Sequence, residues 1–137
     1  LDCCFSMFKQ LFAQGQEFTY GLEEAGSYYN SYVKLMNHWD SVLPGKILRV
    51  NNEDVVENLE GQVSNILEFL ELPFEEECIA FYETERSVRT ASSEQVRKPV
   101  NKEGMGRWKP YAKYLKTLIN TLDKDLLKPE DIAHIIE

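Results

Sequence analysis

Histidine, cysteine and phosphate-loop glycines are all scarce in this chain, and each shortage removes a class of chemistry. The two histidines, His38 and His134, are far apart. Neither has a nucleophile or a carboxylate at a triad-like spacing, so both read as structural or solvated groups. Three cysteines is an odd number. Cys3 and Cys4 are adjacent and badly placed to bridge each other, Cys78 stands alone in an acidic stretch, and no CxxC pair or histidine pair accompanies them. No metal site is expected, and reduced thiols in a cytoplasmic protein are. No apolar run reaches the ~18 residues that mark a membrane span, and no basic leader precedes a shorter one. Neither a transmembrane helix nor a signal peptide is therefore expected. No glycine-rich phosphate loop of the form GxxxxGK followed by Ser or Thr occurs, nor does any internal repeat.

What is present is ample for a core. Over 137 residues, 43% are apolar and 12% aromatic, which excludes a disordered chain and suits one domain spanning residues 1–137. The net charge of −8 is unevenly spread. Between Arg86 and Lys113 stand Arg86, Arg89, Arg97, Lys98, Lys102, Arg107, Lys109 and Lys113 against only Glu94 and Glu103, a local charge of +6 that leaves −14 for the rest. An acidic protein that gathers over half its cations in one stretch is expected to hold an anion there. The plainer alternative is a solvated basic loop balancing acidic neighbours. Nucleic acid is not expected as the main partner, because duplex binding needs a broad basic face.

Periodicity predicts mostly helix. Leu1, Cys4, Phe5, Phe8, Leu11 and Phe12 recur at helical steps, with Gly15 as terminator. A second helix carries Ala25, Tyr28, Tyr29, Tyr32, Val33, Met36 and Trp39 and ends at Leu43-Pro44-Gly45. The three tyrosines read as ordinary core or surface residues of that helix. Lys46 to Val50 is short and β-branched and predicts a buried strand. A helix follows over Glu53 to Leu72, with a break near Gly61 and Pro73 closing it, and then a short acidic one over Glu75 to Tyr82. Thr84 to Gly106 lacks periodicity and is a long loop, in which Ser92 to Gln95 has capping-box spacing. Pro110 opens a helix with Tyr111, Tyr114, Leu115, Leu118 and Leu122, and Pro129 to Ile136 forms the last. The fold class expected is mostly α with one or two short β-strands. A lone strand needs partners for its backbone, so either Phe18-Thr19-Tyr20 pairs with it, or a second copy does, or its neighbours lie outside these residues.

Arg89 to Asn101, followed by Gly106-Arg107-Trp108-Lys109, resembles sulfotransferases, and Gln95-Val96 with Lys98-Pro99-Val100-Asn101 is similar to the bacterial branch related to tyrosylprotein sulfotransferases. Gly106 and Trp108 resemble the C-terminal signature of cytosolic sulfotransferases. Leu1 to Ser6 looks like the end of the family's Arg-x-Pro-x-Asp-x-x-x-Ser element, Ile47 to Asp54 like its strand ending in Tyr-Glu-Asp, and Ile66 to Pro73 like the helix and Leu-Pro that follow. The resemblance covers roughly residues 1–122. It implies the C-terminal helical portion of an α/β, P-loop-like fold, and transfer of a sulfonate from 3′-phosphoadenosine 5′-phosphosulfate to a hydroxyl acceptor, without a metal.

The resemblance also implies roles. Ser6 matches a serine on the cofactor's 3′-phosphate. Lys98 matches a cofactor lysine in the tyrosylprotein branch, whereas alignment on Trp108 brings Lys102 onto the corresponding lysine of the cytosolic branch; both registers stand, with Arg97 third. Ser92 matches a serine near the transferring group, a catalytic candidate that donates to the sulfonate or bridging oxygen. The family's adenine-contacting tyrosine is Asn52 here, which can hydrogen-bond the base but stacks poorly. Glu53 and Asp54 read as holding the strand–helix turn. The family's sulfonate-side loop and general base have no counterpart here. Together with the start at Leu1, this predicts that upstream sequence is absent, that the parent is active, and that this chain alone is not. An apolar face left open would make it a homodimer. The competing reading is a small acidic helical interaction domain that binds a protein and no nucleotide; a third is an inactive gene-fragment product.

Overall fold

The structure is a computed structural model, which describes residues 1–12, 14–83, 95–129 and 131. It divides into two compact units, one of Leu1–Lys46 with Gly104–Glu137 and one of Ile47–Glu103.

The first unit is built on three helices: α1 (Asp2–Lys9), α2 (Leu22–Val42) and, late in the chain, α5 (Lys116–Thr121). Asp2 in the first turn of α1 and Lys9 in its last both complement the helix dipole. The helix stops before Leu11, whose side chain is 83% exposed, so the apolar stripe is shorter than its spacing predicts. Phe18-Thr19-Tyr20 is not a strand but part of a 3₁₀ turn, Glu17–Tyr20. Thr19 is fully buried and satisfies itself locally, its N–H and its hydroxyl both donating to the Gln16 carbonyl at 3.0 and 2.7 Å.

Small residues let α2 approach α5. Ala25 is fully buried, and a Cβ at Gly26 would sit 3.0 Å from the Thr121 side chain and 3.3 Å from Leu118. One turn further, Asn30 latches onto the end of α5: its Nδ2 donates to the Thr121 carbonyl (2.8 Å) and its Oδ1 accepts from the Asp123 N–H (3.0 Å). Beyond Asn30 the helix is largely bare, with Tyr32, Leu35, Trp39 and Val42 exposed. The helix expected from Pro110 begins instead as a 3₁₀ segment, Lys109–Tyr114, and becomes α-helical at Lys116. Tyr111 and Tyr114 are exposed, while Leu115, Leu118 and Leu122 are buried as their spacing requires. Phe5, Trp108, Ala112, Leu115 and Ile119 form one core cluster, and Cys4, Leu118 and Leu122 the other. The helix expected over Pro129 to Ile136 lies mostly outside the described residues.

The second unit holds α3 (Asn52–Glu57) and α4 (Leu59–Phe69), with 3₁₀ turns at Glu76–Cys78, Phe81–Glu83 and Gln95–Arg97 and the start of a further one, Lys102–Gly104. The single helix expected over Glu53 to Leu72 is therefore two. The break expected near Gly61 falls at Asn58, because the Asn58 side chain caps α4 by accepting from the Gly61 N–H at 3.1 Å. At the other end Leu72 N–H donates to the Leu67 carbonyl and Glu71 N–H to that of Glu68, with Glu71 at φ 56°. This is a Schellman ending followed by Pro73. The short helix expected over Glu75 to Tyr82 is replaced by two 3₁₀ turns.

The strand expected at Lys46 to Val50 is absent, and the described residues contain no strand at all. A strand is stable only when another supplies its hydrogen bonds and covers its side chains. Leu48 and Val50 remain exposed here. The described architecture is helical.

Candidate functional site

The first unit carries Ser6, exposed on α1. Four residues before it, on the same ridge of the helix, lies Asp2. The Asp2 carboxylate accepts from the Gly106 N–H through Oδ2 at 2.7 Å and from the Trp108 N–H through Oδ1 at 3.4 Å. Gly106 to Lys109 is a tight turn closed by the Lys109 N–H donating to the Gly106 carbonyl at 3.1 Å, which places Arg107 on its outer side, exposed. Gly106 sits at φ 69°, a left-handed conformation that favours glycine. Trp108 then plunges into the core at 2% exposure. Asp2 was legible as part of a family element, but its bond to a turn more than a hundred residues away was not.

The second unit carries four of the remaining candidates. Asn52 is the first residue of α3 and exposed. Its neighbour Asn51 donates to Asp54 at 2.9 Å at the start of α3; the strand–helix turn expected of Glu53 and Asp54 does not form, because among the described residues no strand precedes this helix. Arg97 ends a 3₁₀ turn that packs on the turn Phe81–Glu83, Lys98 follows it, and Lys102 opens the next turn; all three are exposed. These are the right kinds of donor for a phosphate, since hydroxyl, amide, ammonium and guanidinium all donate to anionic oxygen. Ser92 lies outside the described residues. A separate depression of about 310 Å³ is lined by Glu60, Phe74, Glu76, Ile79, Ala80 and Tyr82. Its two carboxylates make it a poor seat for a polyanion. Among the described residues no three potential metal ligands converge, and no helix is long and apolar enough to cross a membrane.

His38 is exposed on α2 beside Trp39, ring centroids 5.9 Å apart; His134 lies outside the described residues. Cys3, Cys4 and Cys78 are free. Burial pushes the Cys4 thiol up to about 11 and raises that of Cys3 as well, so Cys4 remains a protonated, inert core residue at neutral pH. In the folded chain a maleimide is expected to modify Cys3 and Cys78, both exposed, and to reach Cys4 only in denaturant. Labelling of Cys4 at the same rate as the others, read by mass spectrometry, would contradict its burial.

The sulfotransferase family model matches residues 1–76, more than half of the chain. The chain belongs to the sulfotransferase family. This sulfotransferase chain is also similar to an uncharacterized protein of Aquifex aeolicus (strain VF5), 34% identical over 134 residues, which is 96% of this chain and 18% of the relative. It thus spans under a fifth of the curated relative it matches. No solved structure matches it.

Proposed function

We propose that the whole protein transfers a sulfonate from 3′-phosphoadenosine 5′-phosphosulfate to a hydroxyl acceptor, and that this chain grips the 3′-phosphate and adenine of the cofactor. Family membership carries the reading, since the matched residues include Ser6 and Asn52; the local +6 charge of residues 86–113 supports it independently. In this reading Ser6 donates its hydroxyl to the 3′-phosphate, Lys98 or Lys102 supplies the ammonium and Arg97 adds a guanidinium. Asn52 bonds the base, and Ser92 donates to the sulfonate. The pattern from Gln95 to Asn101 supports the bacterial branch related to tyrosylprotein sulfotransferases, and the free thiols support a cytoplasmic location.

The chemistry asks mainly for placement and charge neutralisation. The acceptor oxygen bonds to sulfur, the bond from sulfur to the 5′-phosphate oxygen breaks, and its electron pair leaves with 3′-phosphoadenosine 5′-phosphate. The acceptor proton passes to a base. Cations on the 3′-phosphate hold the adenosine end still while this happens and perform no bond-making themselves.

The test is calorimetric titration of the 137-residue chain with 3′-phosphoadenosine 5′-phosphate. Binding is expected, weakening with added salt as exposed charge pairs are screened. A charge-assisted hydrogen bond contributes about 1.5–3 kcal/mol, so removing the right lysine lowers affinity about 10- to 100-fold. Whichever of Lys98→Ala and Lys102→Ala shows that loss identifies the register. The chain alone, given cofactor and acceptor, is expected to show no turnover. Saturating nucleotide with neither heat nor thermal shift would overturn the reading.

A further inference from the structure

The bond from Asp2 to the Gly106–Lys109 turn has no part in the reading above. Its carboxylate takes the two amides that bracket Arg107, Gly106 at 2.7 Å and Trp108 at 3.4 Å. The turn is also closed on itself by the Lys109 N–H and pinned by the buried Trp108 ring. It is therefore held from three directions, although the residue it displays, Arg107, is exposed and has no place in the core. Asp2 lies within the first turn of α1, and Ser6 follows on the same ridge, about 6 Å further along the axis. The backbone of Arg107 is thus fastened to the start of the ridge that carries the Ser6 hydroxyl. All of these residues belong to the first unit.

A bare carboxylate beside a phosphate would repel it. An Asp whose two oxygens each accept a backbone N–H has its charge partly met by those donors. Fixing a turn before the ligand arrives also removes part of the ordering cost of binding.

We propose that Asp2 is a positioning residue: it holds the Gly106–Lys109 turn so that Arg107 is presented, beside Ser6, to the 3′-phosphate of the nucleotide. This rests on the function proposed above and adds Arg107 to the phosphate ligands, with Asp2 acting only through it.

The test compares two nucleotides on the 137-residue chain: 3′-phosphoadenosine 5′-phosphate, and adenosine 5′-phosphate, which lacks the group in question. Asp2→Asn turns one acceptor into a donor facing a backbone N–H. It is expected to weaken the bisphosphate about tenfold, the loss of roughly one hydrogen bond to a charged partner, and to leave the monophosphate unchanged. Arg107→Ala, at an exposed position that does not threaten folding, is expected to do the same. The double variant should then be no worse than Arg107→Ala alone, because the two residues act as one unit. Damage to the fold would instead lower both nucleotides together. If Asp2→Asn does not fold, Asp2→Ser, which keeps one short acceptor, takes its place. An unchanged ratio of the two affinities in the Asp2 and Arg107 variants, with the unsubstituted chain still binding, overturns this inference and leaves the proposed function standing. Failure of the unsubstituted chain to bind the bisphosphate overturns both.

Discussion

Replacing Trp108 with alanine is expected to remove cooperative unfolding of the unit that carries Ser6. Trp108 is 2% exposed and packs in one cluster with Phe5, Ala112, Leu115 and Ile119. Truncating a buried tryptophan costs about 3–5 kcal/mol, a large share of the roughly 5–15 kcal/mol that holds a whole domain. The ring also anchors the turn that Asp2 holds, so its loss frees the backbone around Arg107. Urea titration followed by circular dichroism gives the answer, with Trp39→Ala as control. Trp39, on the bare half of α2, is 38% exposed, and its removal is expected to cost clearly less than that of Trp108. A midpoint for Trp108→Ala equal to that of the control would mean that the core is not where it is placed here.

Asn30→Leu is expected to cost about 2–4 kcal/mol, although leucine is the better helix former and the more apolar residue. The amide of Asn30 serves two backbone groups at once, the Thr121 carbonyl and the Asp123 N–H. Leucine leaves both without a partner at a position only 9% exposed, at about 1–3 kcal/mol each, less what water recovers at this half-buried edge. The neighbouring ion pair supplies the contrast. Lys34 and Asp123 are 3.7 Å apart but 72% and 52% exposed, so Lys34→Ala is expected to change stability by less than about 1 kcal/mol. The same urea titrations decide it. If the two variants were equally mild, the amide latch would not be what holds α2 to the end of α5.

Several features could be read before any coordinates. The stripe of Leu115, Leu118 and Leu122 is buried as its spacing requires, because residues three and four apart share a face wherever the helix goes. The placement of α1 and α2 followed from the same rule, and the residues resembling sulfotransferases pointed to the family that the comparison then showed. The strand at Lys46 to Val50 failed for the complementary reason: β-branched composition creates a need for pairing but says nothing of a partner. A break near Gly61, the weaker helix former, is what composition predicts, and the helix does break close by, at Asn58. The side chain three residues earlier decided it, since Asn58 offers the Gly61 N–H a better partner than a continuing helix does.

Helical periodicity, the gathering of cations between Arg86 and Lys113 and the family pattern around Ser6 and Trp108 are properties of the chain itself, because each depends on residues near one another in sequence. That Asp2 reaches Gly106 and Trp108, and that Asn30 reaches Thr121 and Asp123, depended on the tertiary structure alone. Those bonds join backbone groups to side chains some ninety to a hundred residues away. Since every residue carries the same N–H and C=O, nothing in residue identity marks which of them will be met.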